Sequence, residues 1–156
     1  MNFLQKIYKK SKEQKGFTLV EMIVVLVIIA ILAAITIPAL LKYIDKARDK
    51  QIVIDARTAY LAAETAVSEA YASGGAASTF VKGQTFKFGT GHTADTSGVV
   101  SNAEELTGLD TTKYTCQVEV NNEYIIQKVE FQEDGKVATL DESKGGSWTV
   151  SKGAIS

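Results

Sequence analysis

Two neighbouring features in the first quarter of the chain have residue types and spacing suited to chemistry. Glu21 is the one charged residue in the twenty-five residues from Phe17 to Leu41. A carboxylate in so apolar a run is costly unless it neutralises or meets a cation. Immediately upstream lies Gly16-Phe17. A glycine lets the backbone beside it lie extended in a protease cleft, where a bulky side chain would obstruct approach. Hydrolysis at that bond would create the missing cation, the amine of Phe17, four residues from Glu21. A salt bridge within one chain, or with a neighbouring copy shifted along the axis, is then open, and either would set register. The plainer alternatives are a helix break at Gly16 and a tolerated interfacial carboxylate at Glu21.

Other chemistry is sparse. His92 is the single histidine and lies between Gly91 and Thr93 in a glycine-rich loop, and Cys116 is the single cysteine. An intramolecular disulfide is excluded, and a zinc site within one chain lacks its usual ligands. Cys116 falls on the apolar side of an alternating segment and reads as a small buried hydrophobe. The pairs Glu133-Asp134 and Asp141-Glu142 lack the alternating oxygen spacing of a calcium loop and read as solvated turns. There is no phosphate loop, nucleophile elbow or paired-carboxylate cleft, so the expectation is a protein that is not an enzyme and holds no cofactor or metal.

The elements that must position Gly16, Phe17 and Glu21 are set by an uneven composition. Of 156 residues, 22% are charged and 46% apolar, with a net charge of −1, which argues against both disorder and constitutive nucleic-acid binding. Residues 1–16 nevertheless carry five lysines against Glu13, a local charge of +4, and the rest of the chain carries −5. From Met22 to Leu41 run twenty consecutive uncharged residues, about 30 Å of helix and the thickness of a bilayer's hydrocarbon. Thirteen of them are Val, Ile or Leu, worth roughly −4 to −8 kcal/mol on an insertion scale. The lysines before the span keep the N-terminus in the cytoplasm and place the residues after Leu41 outside. A removable secretory signal has a shorter apolar core and, after it, a small-residue cleavage site. Here the small residue precedes the apolar run, so a cut at Gly16 discards the basic leader and keeps the apolar helix. Inside that run, Pro38 removes an amide donor, frees the carbonyl of Ala34 and kinks or weakens the helix, tolerable where Thr36 or a neighbouring helix compensates.

Gly16-Phe17-Thr18-Leu19-Val20-Glu21, the unbroken apolar stretch and Pro38 near its end together resemble the prepilin signature of type IV pilins and related pseudopilins. The match is specific over residues 1 to about 45. The resemblance implies that a prepilin peptidase cuts between Gly16 and Phe17, that the same enzyme N-methylates Phe17, and that the mature subunit passes from the membrane into a helical filament with Glu21 in assembly and register. Ala30 departs from the glycine that many members carry, which leaves helix loosening to Pro38. Many pilins close their C-terminal loop with a disulfide; this chain must use sheet packing instead, which suits a Gram-positive or anaerobic source.

Beyond Leu41 the helix continues into water. Val53, Ala56, Tyr60, Ala63, Val67 and Tyr71 form one apolar stripe, and no glycine intervenes before Gly74-Gly75. The head begins irregularly, with a strand candidate at Thr85–Phe88 and a capping-box helix from Ser101 and Glu104 through Leu106. Alternation at Tyr114, Cys116, Val118 and Val120 leads into turns at Asn121-Asn122, Asp134-Gly135 and Gly145-Gly146, with strands at Tyr124–Gln132, Lys136–Leu140 and Trp148–Ser151. The expected fold class is α+β and similar to the pilin fold: one long N-terminal helix, hydrophobic in its first half and amphipathic in its second, on an antiparallel sheet of three or four strands. The expected organisation is a leader at 1–16, a transmembrane and filament-core half-helix at 17–41, an amphipathic half-helix at 42–73, and a globular head at 74–156.

Together these readings predict a structural subunit of an extracellular type IV pilus, made as a single-pass cytoplasmic-membrane precursor. Its partners would be further copies of itself, the prepilin peptidase and methyltransferase, the pilus assembly machinery and the membrane before assembly. The rival within the family is a pseudopilin of a type II secretion or DNA-uptake machine. The rival from another class is an enzyme or receptor domain tethered by an uncleaved signal anchor.

Overall fold

A computed structural model describes residues 16–155 of the chain; the basic leader, apart from Gly16, lies outside the described residues. Helix α1 runs Leu19–Ser73 as one element of 55 residues with Pro38 inside it. The chain divides into two compact units, one ending at Asp45 and the other Lys46–Ser156.

The first unit is the apolar part of α1. From Gly16 to Asp45 only Ala33 is even partly buried, because among the described residues no other element covers this segment. Thr36 donates its hydroxyl to the carbonyl of Leu32 at 2.9 Å and not to Ala34, so the compensation expected of it for Pro38 does not occur. The carbonyl freed by the proline is left to another donor.

The second unit is a helix-on-sheet layer. After α1 come α2 (Gly75–Val81), β1 (Thr85–Gly89), α3 (Val99–Thr107), β2 (Tyr114–Val120), β3 (Ile126–Glu133), β4 (Lys136–Asp141), a 3₁₀ turn at Glu142–Lys144 and β5 (Thr149–Lys152). The sheet has five strands, not three or four, in the order β1-β2-β3-β4-β5 with every neighbouring pair antiparallel. The fifth member is β1, foreseen as an isolated strand candidate; it pairs along its full length with β2, from Thr85 opposite Glu119 to Gly89 opposite Thr115.

The α+β expectation therefore holds, and the core shows why. On β2 the alternation buries Tyr114, Cys116, Val118 and Val120, and the same face carries Phe86, Phe88, Val129, Phe131 and Leu140 from the other strands. Against it α1 presents Ile52, Ala56, Ala59, Ala63, Ala66, Val67 and Ala70. This stripe differs from the expected one: Ala56, Ala63 and Val67 are in it, but Val53 and Tyr60 are only half-buried and Tyr71 is 64% exposed. Small side chains fill the interface because the sheet supplies the bulk. The Tyr114 and Phe131 rings stack with centroids 5.2 Å apart, and Phe88 meets Tyr114 edge-on at 6.1 Å.

Local differences have local causes. Gly74, at φ 65°, ends α1 as expected, yet Gly75–Val81 resumes as a helix and buries Val81 where irregular chain was expected. Helix α3 starts at Val99, two residues before the expected Ser101, because Gly98 at φ 83° turns the chain and Val99, Val100, Ala103 and Thr107 carry the buried spacing. The Ser101–Glu104 capping box does not form. Asp95 serves instead, its Oδ2 accepting from the Val100 amide at 2.9 Å, while Glu104 accepts from the Gly89 amide at 2.9 Å and ties α3 to the end of β1. Strand β3 begins at Ile126, not Tyr124, because Asn121 closes the turn by accepting from the amides of Glu123 and Ile125 at 2.8 and 2.9 Å. The Asp134-Gly135 hairpin forms as expected, both residues having positive φ, as a two-residue type I′ turn demands.

Candidate functional site at the start of the long helix

Thr18 is the last non-helical residue before α1 and Glu21 is the third residue within it. The Glu21 amide donates to Thr18 Oγ1 at 3.2 Å, and Glu21 Oε2 accepts from the Thr18 amide at 2.8 Å and from its hydroxyl at 2.9 Å. This is a reciprocal capping box, satisfying two of the amides that a helix start otherwise leaves without partners. The acid also lies at the positive end of the helix dipole. Glu21 is thus anchored through one oxygen, and among the described residues Oε1 has no donor.

In the sequence Glu21 stands out as a carboxylate in need of a cation, and that reading misses its capping role. The signal is nevertheless present: Thr18-x-x-Glu21 ahead of an apolar run is the sequence pattern of a capping box.

Phe17 precedes the box and is 83% exposed. Among the described residues nothing lies within 4 Å of where a β-carbon of Gly16 would stand. No contact within the described residues requires glycine at position 16. Gly16, Phe17 and Glu21 thus form one short exposed segment, whereas Pro38 lies well inside α1 and shares no contact with them.

The remaining sequence candidates lie in the second unit. His92 Nδ1 is 3.5 Å from Glu104 Oε1 with the imidazole 60% exposed. Cys116 is fully buried, and burial pushes its thiol pKa up, as expected of a small core hydrophobe. Asp141 accepts from the Ser143 amide at 3.1 Å and pairs with Lys144 at 3.0 Å. The Ser143 hydroxyl and then Lys144 hold its carboxyl below the usual range. Among the described residues no three His, Cys, Asp or Glu side chains come together as a metal site.

A model of the prokaryotic N-terminal methylation motif matches residues 11–37. Fimbrial protein Q of Moraxella bovis is 43% identical over 56 residues, 36% of each chain. A fimbrial protein of Pseudomonas aeruginosa is 43% identical over 58 residues, 37% of this chain and 38% of that one. The alignments thus span little more than a third of the length of these curated relatives, and no solved structure matches. The methylation motif, the fimbrial relatives and the exposed apolar helix behind Gly16-Phe17 agree with one another: over its N-terminal third the chain carries the prokaryotic N-terminal methylation motif and is similar to fimbrial proteins.

Proposed function

We propose that the chain is the structural subunit of an extracellular type IV pilus, released from a membrane precursor by scission between Gly16 and Phe17. The carrying observation is the order of features: a glycine whose β-carbon position meets nothing among the described residues, an exposed Phe17, and then an apolar helix whose most apolar stretch is unburied. Such a segment needs lipid before assembly and other copies of itself afterwards.

The peptidase hydrolyses the Gly16–Phe17 amide, leaving a carboxylate on the leader and an amine on Phe17, which is then methylated and stays cationic. That amine meets Glu21, which Thr18 already holds through Oε2. Met22 to Leu41 pack in the filament core, and the second unit remains outside as the head. Contacts that relate successive copies by rotation and translation do not close, so they yield a fibre and not a ring. Pro38 supplies a weak point in the rod.

Mass spectrometry of protein sheared from the cell surface tests this reading. The expected product begins with N-methylated Phe17. Recovery of an intact Met1, or of a chain cut after Ala34, would overturn it.

A further inference from the structure

An aromatic platform joins α1, through Tyr71, to the β2–β3 hairpin. Tyr124 stands at its tip with φ 64°, a region that a bulky residue enters only when its surroundings hold it there. Several contacts do so. Its amide donates to the Asn121 carbonyl at 3.1 Å, its hydroxyl is 2.7 Å from Ser78 Oγ, and its ring lies 4.9 Å from that of Tyr71. Beside it opens a hollow of about 440 Å³ lined by Ser68, Tyr71, Asn122, Glu123 and Tyr124. Tyr71 is 64% exposed. The Asn122 carboxamide lies so close to Gly83 that a β-carbon there would stand 2.4 Å from its oxygen. Neither Asn122 nor Glu123 has a side-chain hydrogen bond or ion pair among the described residues.

We infer that this hollow binds a neutral polyhydroxylated ring, a sugar residue of a glycan. The lining decides this by what it accepts and rejects. The open face of Tyr71 suits a flat C–H face. The Asn122 carboxamide offers donors and an acceptor, and the Glu123 carboxylate accepts from paired hydroxyls, with the Ser68 hydroxyl alongside. Glu123 repels an anion. Lys82 Nζ sits 5.8 Å from the Tyr124 ring centre, where a cationic ligand would compete with it. The volume is within the range of small-molecule sites, and because the hollow is open, affinity of about millimolar order is expected.

Saturation-transfer NMR on the full chain, in micelles of a polyoxyethylene detergent free of sugar, tests the inference. The probes are methyl galactoside, methyl glucoside and N,N′-diacetylchitobiose, with choline and sialic acid as charged competitors. Saturation should reach the ring protons of at least one neutral sugar and fall about fivefold or more in Tyr71→Ala and in Asn122→Ala. Tyr71→Phe, which keeps the ring, should retain it. Trp148 fluorescence and a thermal melt report folding; should Tyr71→Ala not fold, Asn122→Ala and Glu123→Gln on the exposed turn carry the test. No transfer to any neutral sugar, equal transfer in the Ala variants, or preference for choline or sialic acid would overturn it. The measurement needs no filament, so its failure and the failure of the pilus reading are distinguishable.

Discussion

Ala63→Leu is the sharpest test of how the head is held together. Ala63 is fully buried, as are Ala59 one turn before it and Ala66 one turn after, and all three belong to the same core cluster as Phe88, Val118 and Phe131. Were there room, three added carbons would stabilise by roughly 0.8 kcal/mol each. The structure leaves no room, since the helix meets the sheet through alanines and the aromatic rings of the strands fill the rest. Overpacking of that kind costs about 1–3 kcal/mol, while the difference in helix propensity between Ala and Leu is only a few tenths. At about 4 °C per kcal/mol, the head should melt about 4–12 °C lower. Leu61→Ala is the control: two residues away and 59% exposed, it should stay within about 0.5 kcal/mol of the parent. Both are read by thermal denaturation of the full chain in detergent, monitored through Trp148, which packs against the core. A melting temperature for Ala63→Leu equal to that of the control, or above the parent, would show that the helix does not seat on the sheet through its alanine face.

Removing the Thr18 hydroxyl by Thr18→Ala breaks two of the three bonds in the capping box; co-expressed with wild type, the variant should be under-represented in sheared fibres, and Thr18→Ser should restore parity. Glu21→Ala should still insert in the membrane but be incorporated less than wild type, as counted by mass spectrometry of the N-terminal peptides, and equal incorporation would defeat the register argument. The Glu133 carboxyl is pushed above its usual value by burial first and then by the charges of Asp55 and Asp134. Its stabilising contribution is therefore full at low pH and is lost as the pH rises through the folded value. Glu133→Gln should raise stability modestly at pH 7, by about 0.5 kcal/mol after screening, and by nothing near pH 3; a variant less stable at pH 7 would contradict this. Cys116, fully buried with its thiol pKa raised, should resist a thiol reagent in the folded protein and react at once in denaturant.

Where one period governs a segment, sequence and structure agree. Alternation on β2 marks its buried residues, the Asp134-Gly135 pair marks the tightest hairpin, and the twenty uncharged residues mark the exposed part of the long helix. Where two patterns compete, the larger apolar residue misleads. Tyr60 and Tyr71 suggest a stripe that the structure rotates toward Ala59, Ala66 and Ala70, because the depth available between helix and sheet is set by the phenylalanines on the far side, which helix periodicity does not report. The two capping boxes make the same point. Ser101-x-x-Glu104 has the required letters but falls inside a helix already started at Val99, whereas Thr18-x-x-Glu21 forms and is masked by the apolar run, which draws attention to the cost of Glu21 alone. A local motif is decisive only where its first residue stands at a helix boundary, and that boundary is set by burial.

The capping box also bears on how one carboxylate would serve both the proposed membrane precursor and the proposed filament. In lipid, Glu21 must have donors of its own, since no water reaches the hydrocarbon to supply them. Thr18 provides two within the same helix turn, from groups that the helix start leaves unpaired in any case. A precursor could therefore carry the acid without a partner chain, with Glu21 held on Thr18, the residue after position 17, before any cut is made. On the proposed reading, scission at Gly16–Phe17 would add a cation next to the Thr18 groups that already hold the carboxylate. If this order holds, an uncleaved Gly16 variant should leave the helix start unchanged while abolishing assembly. Thr18→Ala should do the reverse, accepting the cut but weakening the seat of each subunit in the fibre. Separating those two phenotypes, by N-terminal sequencing of the membrane fraction and of the sheared fraction, distinguishes a carboxylate aimed by its own helix from one aimed only by its neighbour.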